Sequence, residues 1–289
     1  MQIAVASGKG GTGKTTVAVT LCHFLEKHLN KKVHLVDCDV EEPNDALFLS
    51  PLHLQEQKMV HQYIPKIDTS VCTFCKKCVD WCEFNAITII QSRKFAEVDA
   101  SLCHSCGACL VACPENAFTE KPHPLGTIAR YDTENGCKFT EGRLEVGSAM
   151  QTMLIKKLKQ EVSQQEIIHI LDAPPGTSCP VVETISDVDY VILVTEPTPF
   201  GLHDMRIMVE LLTELKKPFG VVVNKAGLGS QDVYSFMQEN NMELLGEIPF
   251  SKEFAGKYSS GKLIDEFPEK WAVIYQEMVD KLAAKILNS

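Results

Sequence analysis

Short apolar runs recur along most of the chain, and each is hydrophobic at consecutive positions rather than at every second position. This pattern is typical of strands that are buried on both faces of a parallel sheet. Segments with apolar residues at helical spacing lie between the runs, so the alternation predicts a doubly wound, mostly parallel α/β fold. The predicted strands are residues 3–6, 33–37, 167–172, 190–194, 219–224 and 244–248, and the predicted helices are residues 15–29, 151–161, 201–215, 232–240 and 269–287.

The alternating pattern breaks between residues 63 and 124, where cysteines and short strand fragments replace it. This segment contains an internal duplication. Its sequence Ile67-Asp68-Thr69-Ser70-Val71-Cys72 is echoed about 31 residues later by Val98-Asp99-Ala100-Ser101-Leu102-Cys103. We therefore predict a small inserted α+β domain at residues 63–124, which divides a larger core into residues 1–62 and 125–289.

The composition is that of an ordinary globular protein, with 45% hydrophobic and 23% charged residues among 289. The formal net charge of −10 argues against a general nucleic-acid binder, because such a protein needs a concentrated basic face to displace counterions. No stretch approaches the roughly 20 apolar residues of a bilayer span, and the first residues lack the basic region of a signal peptide. We expect a cytoplasmic protein with no nucleic-acid partner.

A glycine-rich loop connects the first predicted strand to the first predicted helix, with the sequence Ser7-Gly8-Lys9-Gly10-Gly11-Thr12-Gly13-Lys14-Thr15-Thr16. Its turn depends on four glycines, Gly8, Gly10, Gly11 and Gly13. Backbone N–H groups of such a turn approach phosphate oxygens, and Lys14 supplies the charge for the β and γ phosphates. The Thr15 hydroxyl is placed to bind Mg²⁺, and Thr16 to reach the α-phosphate. This segment is therefore predicted to be a P-loop that binds ATP or ADP, and every residue from Gly8 to Thr16 is predicted to contact the nucleotide.

Eight of the twelve cysteines fall into two runs, Cys72-x2-Cys75-x2-Cys78-x3-Cys82 and Cys103-x2-Cys106-x2-Cys109-x3-Cys113-Pro114. A reducing cytosol disfavours disulfides, so this spacing indicates metal ligation. It is typical of two [4Fe–4S] clusters. Structural zinc, which also binds Cys-x2-Cys pairs, is the alternative, although eight ligands in this register are unusual for zinc. About sixty residues build little hydrophobic core, so we expect the metal to stabilise this domain.

The segment with these cysteines resembles a bacterial ferredoxin with two [4Fe–4S] clusters, a likeness that covers about one fifth of the chain. In that family the fourth cysteine of each run binds the other cluster. The resemblance implies two ligand sets, one of Cys72, Cys75, Cys78 and Cys113 and one of Cys103, Cys106, Cys109 and Cys82. The first run has Glu83 where the second has Pro114, a departure that affects local geometry but not the number of ligands.

The P-loop carries an additional lysine, Lys9, near its start. With it, the loop resembles the deviant Walker A family that includes MinD, Mrp and its cluster-scaffold relatives, ParA and the nitrogenase iron protein. The likeness spans essentially all of the chain outside the insert. It implies that Lys9 reaches the phosphates of a partner subunit in a dimer with two sandwiched nucleotides, either a homodimer or a heterodimer with a paralogous ATPase. The alternative is a solvent-exposed lysine without a special role.

Two carboxylate segments resemble further motifs of this family. Val36-Asp37-Cys38-Asp39 resembles switch I, which implies that Asp39 orients the attacking water and Asp37 supports the Mg²⁺ shell. The segment Ile170 to Thr177 resembles Walker B and switch II, with Asp172 holding Mg²⁺ through water. The alternative for Asp37 and Asp39 is capping of the following turn. The implied catalytic residues are Lys9, Lys14 and Asp39, and the implied Mg²⁺ residues are Thr15, Asp37, Asp39 and Asp172.

The family contacts adenine at the ends of two later strands. Asn224-Lys225 and Pro249-Phe250 occupy those positions, which implies base contacts by Asn224, Pro249 and Phe250. Asparagine after a strand is also ordinary turn chemistry.

Four cysteines lie outside the two runs. Cys179 lies in the switch II segment, where the nitrogenase iron protein carries a ligand to a cluster that bridges its subunits. One such cysteine from each subunit supplies half of the ligands a cluster needs, unless Cys137 joins it. Cys22 and Cys38 are expected to be packed thiols. The Cys-Pro-x-Cys motif of Mrp-type scaffolds is absent from the sequence.

The chain resembles MinD-type ATPases with a ferredoxin insert from end to end. The resemblance implies an ATPase, slow without a partner, whose nucleotide-driven dimer switch gates electron transfer through two [4Fe–4S] clusters to an unidentified redox or iron–sulfur acceptor protein. One alternative is an ATP-dependent cluster carrier, and another is a positioning switch whose clusters sense redox state. Residues 275–289 lack the basic amphipathic character of a membrane-binding helix, so no direct membrane insertion is expected.

Overall fold

The chain has two compact units in the computed structural model, which describes residues 1–29, 31–49, 51–134, 136–162, 167–259, 261, 264 and 267–286. Unit 1 comprises Met1–Gln57, Ile128–Arg143 and Ile155–Ser289, and unit 2 comprises Lys58–Thr127 and Leu144–Leu154. Unit 2 includes all of residues 63–124, which the sequence predicts as an insert. The domain boundaries themselves stay a prediction.

Most strands lie in one sheet. The strands are β1 (Gln2–Ala6), β2 (Val33–Asp37), β3 (Leu52–Ile67), β4 (Ile87–Ile90), β5 (Phe95–Val98), β6 (Phe118–Thr133), β7 (Lys138–Leu144), β8 (Ile168–Asp172), β9 (Tyr190–Thr195), β10 (Phe219–Ala226) and β11 (Leu244–Pro249). Within the described ranges, nine of them form a sheet in the order β11-β10-β9-β1-β8-β2-β7-β6-β3, and β4 pairs with β5. Neighbours from β11 to β7 are parallel.

Helices connect most of the parallel strands, and further helices lie in unit 2 and after the last strand. They are α1 (Lys14–Leu29), α2 (Lys77–Asp80), α3 (Ala108–Ala112), α4 (Gln151–Glu161), α5 (Cys179–Ile185), α6 (Pro199–Glu214), α7 (Asp232–Glu239), α8 (Lys252–Ser259) and α9 (Glu269–Ile286), with single 3₁₀ turns at Asp45–Phe48 and Gln91–Arg93. Every strand and helix predicted in the core overlaps an observed element. Leu287, the predicted end of the last helix, lies outside the described residues.

The sequence analysis missed the strands through which the chain enters and leaves unit 2. The chain passes from unit 1 into unit 2 along β3 and returns along β6, each 16 residues long. Polar residues occupy most exposed positions of β3, and its apolar residues do not follow a strict period of two. Its sheet neighbour β6 is distant in sequence, so local preference gives little indication of β3.

The first helix is fixed by packing on the last one. α9 packs against α1 and β11, and Phe24 of α1 contacts the rings of Phe267 and Tyr275. The side chains of Met278 and Leu282 on α9 are fully buried. No helix within the described residues is both long enough and apolar enough to cross a membrane.

Two histidines are buried side by side in the sheet. His34 of β2 pairs in register with His169 of β8, and their ring centroids are 5.3 Å apart. The His34 Nε2 atom lies 2.8 Å from the Thr140 hydroxyl oxygen. Burial, with smaller contributions from His169, Lys138 and other nearby basic groups, lowers the pKa of His34 to about 3. The fold therefore holds this ring in its neutral form.

His34 should make the protein acid-sensitive. A ring whose pKa is 6.5 in the unfolded chain and about 3 in the fold binds its proton more tightly when unfolded, so protonation favours unfolding. Its contribution to the free energy of unfolding should fall by about 1.4 kcal/mol per unit as the pH decreases below 6.5. Urea titrations between pH 5 and 7 should show a smaller pH slope for His34→Gln than for the unmodified protein. The exposed His53→Gln control should keep the original slope, and equal slopes for both variants would contradict this assignment.

Candidate nucleotide and metal sites

The glycine-rich loop joins β1 to α1 at the carboxyl edge of the parallel sheet, where α/β proteins place ligands. Gly11 and Gly13 have φ angles of +76° and +90°, in the region that favours glycine. A Cβ atom on Gly8 would lie 2.5 Å from the backbone oxygen of Asp204. The glycines are therefore required by backbone conformation at two positions and by a close approach at a third.

Three residues predicted from two separate motifs meet at the start of α1. Lys14 Nζ donates a hydrogen bond of 2.8 Å to Asp172 Oδ1, and the Thr15 hydroxyl donates one of 2.7 Å to Asp172 Oδ2. Lys14 and Asp172 are buried. Burial opposes the charge on Lys14, but the attraction of Asp172 and other carboxylates outweighs it and raises the Lys14 pKa. One carboxylate thus holds both the lysine and the threonine of the loop.

Two further carboxyl groups, those of Asp37 and Asp45, lie beside Asp172. Oxygen atoms of Asp37, Asp45 and Asp172 all lie within 4.8 Å of one another, and all three residues are buried. Asp37 accepts backbone hydrogen bonds from Asp39, Asn44 and Asp45, so it also caps the turn that follows β2. Burial and the nearby Asp172 raise the pKa of Asp37 to about 8, and burial with Asp37 raises that of Asp45 well above its usual range. The three oxygens suit a hard divalent cation.

Asp45 was missed by the sequence analysis. It begins the 3₁₀ turn Asp45–Phe48, eight residues after Asp37, and belongs to no recognised motif. Asp39, predicted to orient water, is half-buried, and burial raises its pKa to about 6 although Lys14 opposes the shift. Its role stays a prediction.

Lys9 has a partner within its own chain. Its Nζ donates a 2.6 Å hydrogen bond to Glu196 Oε1 and lies 5.9 Å from the centroid of the Phe200 ring. Lys225 Nζ donates to Glu196 Oε2 at 2.9 Å and to the Gly11 backbone oxygen at 2.7 Å. Burial opposes the charge of Glu196, but the two lysines outweigh it and lower its pKa. Glu196 was not predicted from the sequence, and the role of Lys9 stays a prediction.

The residues expected to contact the base line one cavity beside the loop. Asn224, Pro249 and Phe250 border it together with Gly13, and its volume is about 210 Å³. Asn224 Nδ2 also donates a 2.7 Å hydrogen bond to the Thr12 backbone oxygen, so it supports the loop as well as the cavity. The cavity offers an apolar wall and a few polar groups, as ligand sites commonly do.

The eight clustered cysteines of unit 2 divide between two hollows. The first is lined by Cys72, Cys75, Cys78 and Cys113, and the second by Cys82, Cys103, Cys106 and Cys109. The last cysteine of each run therefore lies with the first three of the other run. This is the crossed division implied by the resemblance to ferredoxins, and the group that the hollows bind stays a prediction.

Backbone donors point at the sulfur atoms in a repeated pattern. The first and fourth cysteines of each run accept N–H bonds of 3.3 to 3.4 Å, from Phe74 to Cys72, Ala86 to Cys82, Ser105 to Cys103 and Ala117 to Cys113. Such donors stabilise negative charge on sulfur. Burial raises the pKa of the Cys78 and Cys103 thiols and raises that of Cys109 to about 11. A metal must therefore displace protons from these ligands.

The donor chemistry fits iron–sulfur ligation. Four thiols converge on each hollow, and soft thiolates are the ligands of iron–sulfur clusters and zinc. In the second hollow, the His104 ring stacks on Phe84 with centroids 3.7 Å apart. The two hollows therefore have different surroundings, although their cysteines repeat.

The remaining cysteines differ in their exposure. Cys179 is exposed, whereas Cys137 is buried in contact with Cys22. Cys137 is therefore engaged with Cys22 in this fold, and its joining Cys179 as a ligand stays an open alternative. Cys22 and Cys38 are buried, as expected.

A glycine-rich loop between a strand and a helix, with a strand-end aspartate bound to its lysine, defines a P-loop nucleotide-binding protein. The chain belongs to the CobQ/CobB/MinD/ParA nucleotide binding domain family, whose model matches residues 3–264. This membership confirms the predicted nucleotide-binding core.

Relatives cover nearly the whole chain. An uncharacterised protein of Methanocaldococcus jannaschii is 29% identical over 283 residues, covering 98% of this chain and 96% of the relative. An iron–sulfur cluster carrier protein of Pyrococcus horikoshii is 24% identical over 304 residues, which cover 99% of this chain and 86% of the relative. The solved septum site-determining protein MinD of the same organism, complexed with Mg-ADP, has a TM-score of 0.59 at 19% identity and covers 99% of this chain and 98% of its own. The likeness to MinD confirms the mostly parallel α/β sheet.

Proposed function

We propose that this protein is an ATPase whose nucleotide-driven dimer switch gates electron transfer through two [4Fe–4S] clusters. The crossed division of eight cysteines between two hollows of unit 2 is the observation that carries the proposal. Membership in a nucleotide-binding family supports the part of the proposal that concerns ATP. Electron transfer requires clusters that remain bound, and four thiol ligands for each hollow favour retention.

The residues of unit 2 would hold the clusters and tune their environment. Cys72, Cys75, Cys78 and Cys113 would bind one, and Cys82, Cys103, Cys106 and Cys109 the other. When bound, such clusters supply reversible one-electron chemistry. The four backbone N–H donors would stabilise the ligand thiolates, and the stacked rings of Phe84 and His104 would limit water at the second hollow.

The residues of unit 1 would bind Mg²⁺-ATP. The loop N–H groups and Lys14 would hold phosphates, and the oxygens of Thr15 and Asp172 would face Mg²⁺. Asp37 and Asp45 place further carboxyl oxygens beside that position, and a divalent cation would displace their protons. Asp39 would orient the attacking water, and we expect hydrolysis to be slow without a partner protein.

Lys9 would complete the site of a second subunit. It now shares Glu196 with Lys225, so Glu196 keeps one cationic partner when Lys9 leaves. This arrangement lowers the electrostatic cost of releasing Lys9. A lysine that exchanges Glu196 for the phosphates of a partner would link nucleotide binding to dimerisation.

An ATP-dependent cluster carrier is the second candidate, favoured by the likeness to the iron–sulfur cluster carrier protein of Pyrococcus horikoshii. The two functions differ in the fate of the cluster. Incubation of the loaded protein with an excess of apo-ferredoxin should leave the iron on this chain if the clusters carry electrons. Transfer of an intact cluster to the acceptor would favour the carrier.

The crossed ligand sets can be tested with paired substitutions. The anaerobically isolated protein should contain about eight irons per chain. The double variant Cys72→Ser/Cys113→Ser removes two ligands of one hollow and should retain about four irons, whereas Cys72→Ser/Cys82→Ser should lose both clusters. Iron analysis and electron paramagnetic resonance of the reduced samples measure the outcome.

The buried Cys38→Ser variant serves as the control and should keep its full iron content. The opposite ranking of the two double variants would refute the crossed sets. Zinc in place of iron would refute the proposed function itself.

Lys9→Ala should separate nucleotide binding from dimerisation. The loss of one partly exposed lysine should change the dissociation constant for ATP by less than about threefold, because Lys14 and the loop remain. Light scattering after gel filtration should find no ATP-dependent dimer. The exposed Lys32→Ala control should dimerise as the unmodified protein does. Normal dimerisation of Lys9→Ala would contradict the sandwich arrangement.

A further inference from the structure

Two cysteines outside the cluster runs contact each other in unit 1. Cys22 lies in the middle of α1, and Cys137 lies directly before β7. Their sulfur atoms are 2.8 Å apart, and both residues are buried, with exposures of 1% and 4%. Even carbon atoms, which are smaller than sulfur, make optimal contact only at about 3.5–4.0 Å. The separation is only about 0.8 Å longer than a disulfide bond of about 2.05 Å.

The backbone around Cys137 holds its side chain towards α1. The Thr133 backbone N–H and the Thr133 hydroxyl both donate to the Cys137 backbone oxygen, at 3.1 and 3.0 Å. Cys22 is fixed by the packing of α1 in the core. Because both partners sit on ordered elements, the contact between the sulfur atoms does not require a rearrangement of the fold.

A solvent-connected cavity lies beside the pair. Cys22 and Cys137 line it together with His23, Glu26 and Thr133, and its volume is about 110 Å³. The cavity is open to solvent, so a small reagent can approach the sulfur atoms from that side. The pair is thus buried within the fold but borders a space that connects to solvent.

We propose that Cys22 and Cys137 form a redox-active dithiol, which a small-molecule disulfide such as oxidised glutathione converts to an intramolecular disulfide. One thiol loses its proton and attacks a sulfur of the reagent, forming a mixed disulfide and releasing one reagent thiol. The second cysteine then displaces the other half of the reagent. In total the pair loses two protons and two electrons, and the reagent takes them up and leaves as two thiols.

This disulfide would act on the part of the chain that carries both candidate sites. Cys22 shares α1 with Lys14 and Thr15, and the chain between the two cysteines contains residues 58–127 of unit 2. Oxidation would therefore close a covalent loop of about 115 residues. A loop of that length restricts the unfolded chain strongly, so the oxidised protein should be more stable than the reduced one.

Peptide mapping tests the proposal on the full-length protein with its metal retained. The protein is treated anaerobically with oxidised glutathione, quenched with acid and N-ethylmaleimide, and digested with trypsin. Cys22 and Cys137 are the only cysteines of the tryptic peptides 15–27 and 131–138. The expected product joins these two peptides and is lighter than their sum by two hydrogen atoms. Dithiothreitol should separate them.

Cys38 provides the matched control, because it is buried in the same unit and is the only cysteine of peptide 33–58. It should remain reduced. Oxidation should raise the Tm by more than about 5 °C, and the Cys22→Ser variant should show neither the linked peptide nor the rise. Peptide mapping of the unmodified protein decides the question even if that variant does not fold.

Three results would overturn the proposal. The first is recovery of both peptides as separate, maleimide-modified species. The second is each cysteine bound only to glutathione, and the third is a link that forms only in urea. Iron content measured before and after treatment shows whether the oxidant acted on the paired thiols or on the cluster cysteines.

Discussion

The hydrogen-bonded ion pair of Lys14 and Asp172 connects the parts of the nucleotide site. It is buried, with side-chain exposures of 7% and 1%, and it joins the start of α1 to the end of β8. Removing either partner would leave a buried charge without compensation, which typically costs about 3–5 kcal/mol. Asp37 and Asp45 add carboxyl groups to the same position, so the site has more acidic than basic groups. That imbalance, together with the Thr15 hydroxyl, is why the site suits a divalent cation.

Unit 2 also concentrates potential ligand side chains, which here are thiols and not carboxyl groups. Its buried apolar groups are few, and several of its buried residues are the cysteines themselves. On the proposed function, unit 2 would fold around its clusters, so the duplication of the cysteine runs would repeat both a ligand set and a stabilising element. The backbone donors to sulfur follow the same duplication. The stacked Phe84 and His104 distinguish the second hollow from the first, and sequence periodicity alone does not indicate this difference.

Features that depend on local chemistry could be predicted from the sequence. The buried parallel strands, the P-loop and the cysteine runs each have a pattern within a short segment. Asp45 and Glu196 could not be predicted in the same way, because their roles arise from the folded arrangement. Asp45 meets Asp172 across more than 120 residues of sequence, and Glu196 meets Lys9 across 187. The long strands β3 and β6 were missed for the related reason that they are neighbours only in the sheet, and Cys22 and Cys137 carried no sequence signal of their contact.

Coupling between the nucleotide and the clusters is the central claim, and anaerobic electron paramagnetic resonance tests it most directly. Dithionite-reduced protein with about eight irons per chain would be compared without nucleotide, with ADP and with a slowly hydrolysed ATP analogue. The account predicts that the cluster signals or their midpoint potentials change with the nucleotide. Identical signals and potentials in all three samples, with nucleotide binding verified by calorimetry, would contradict it.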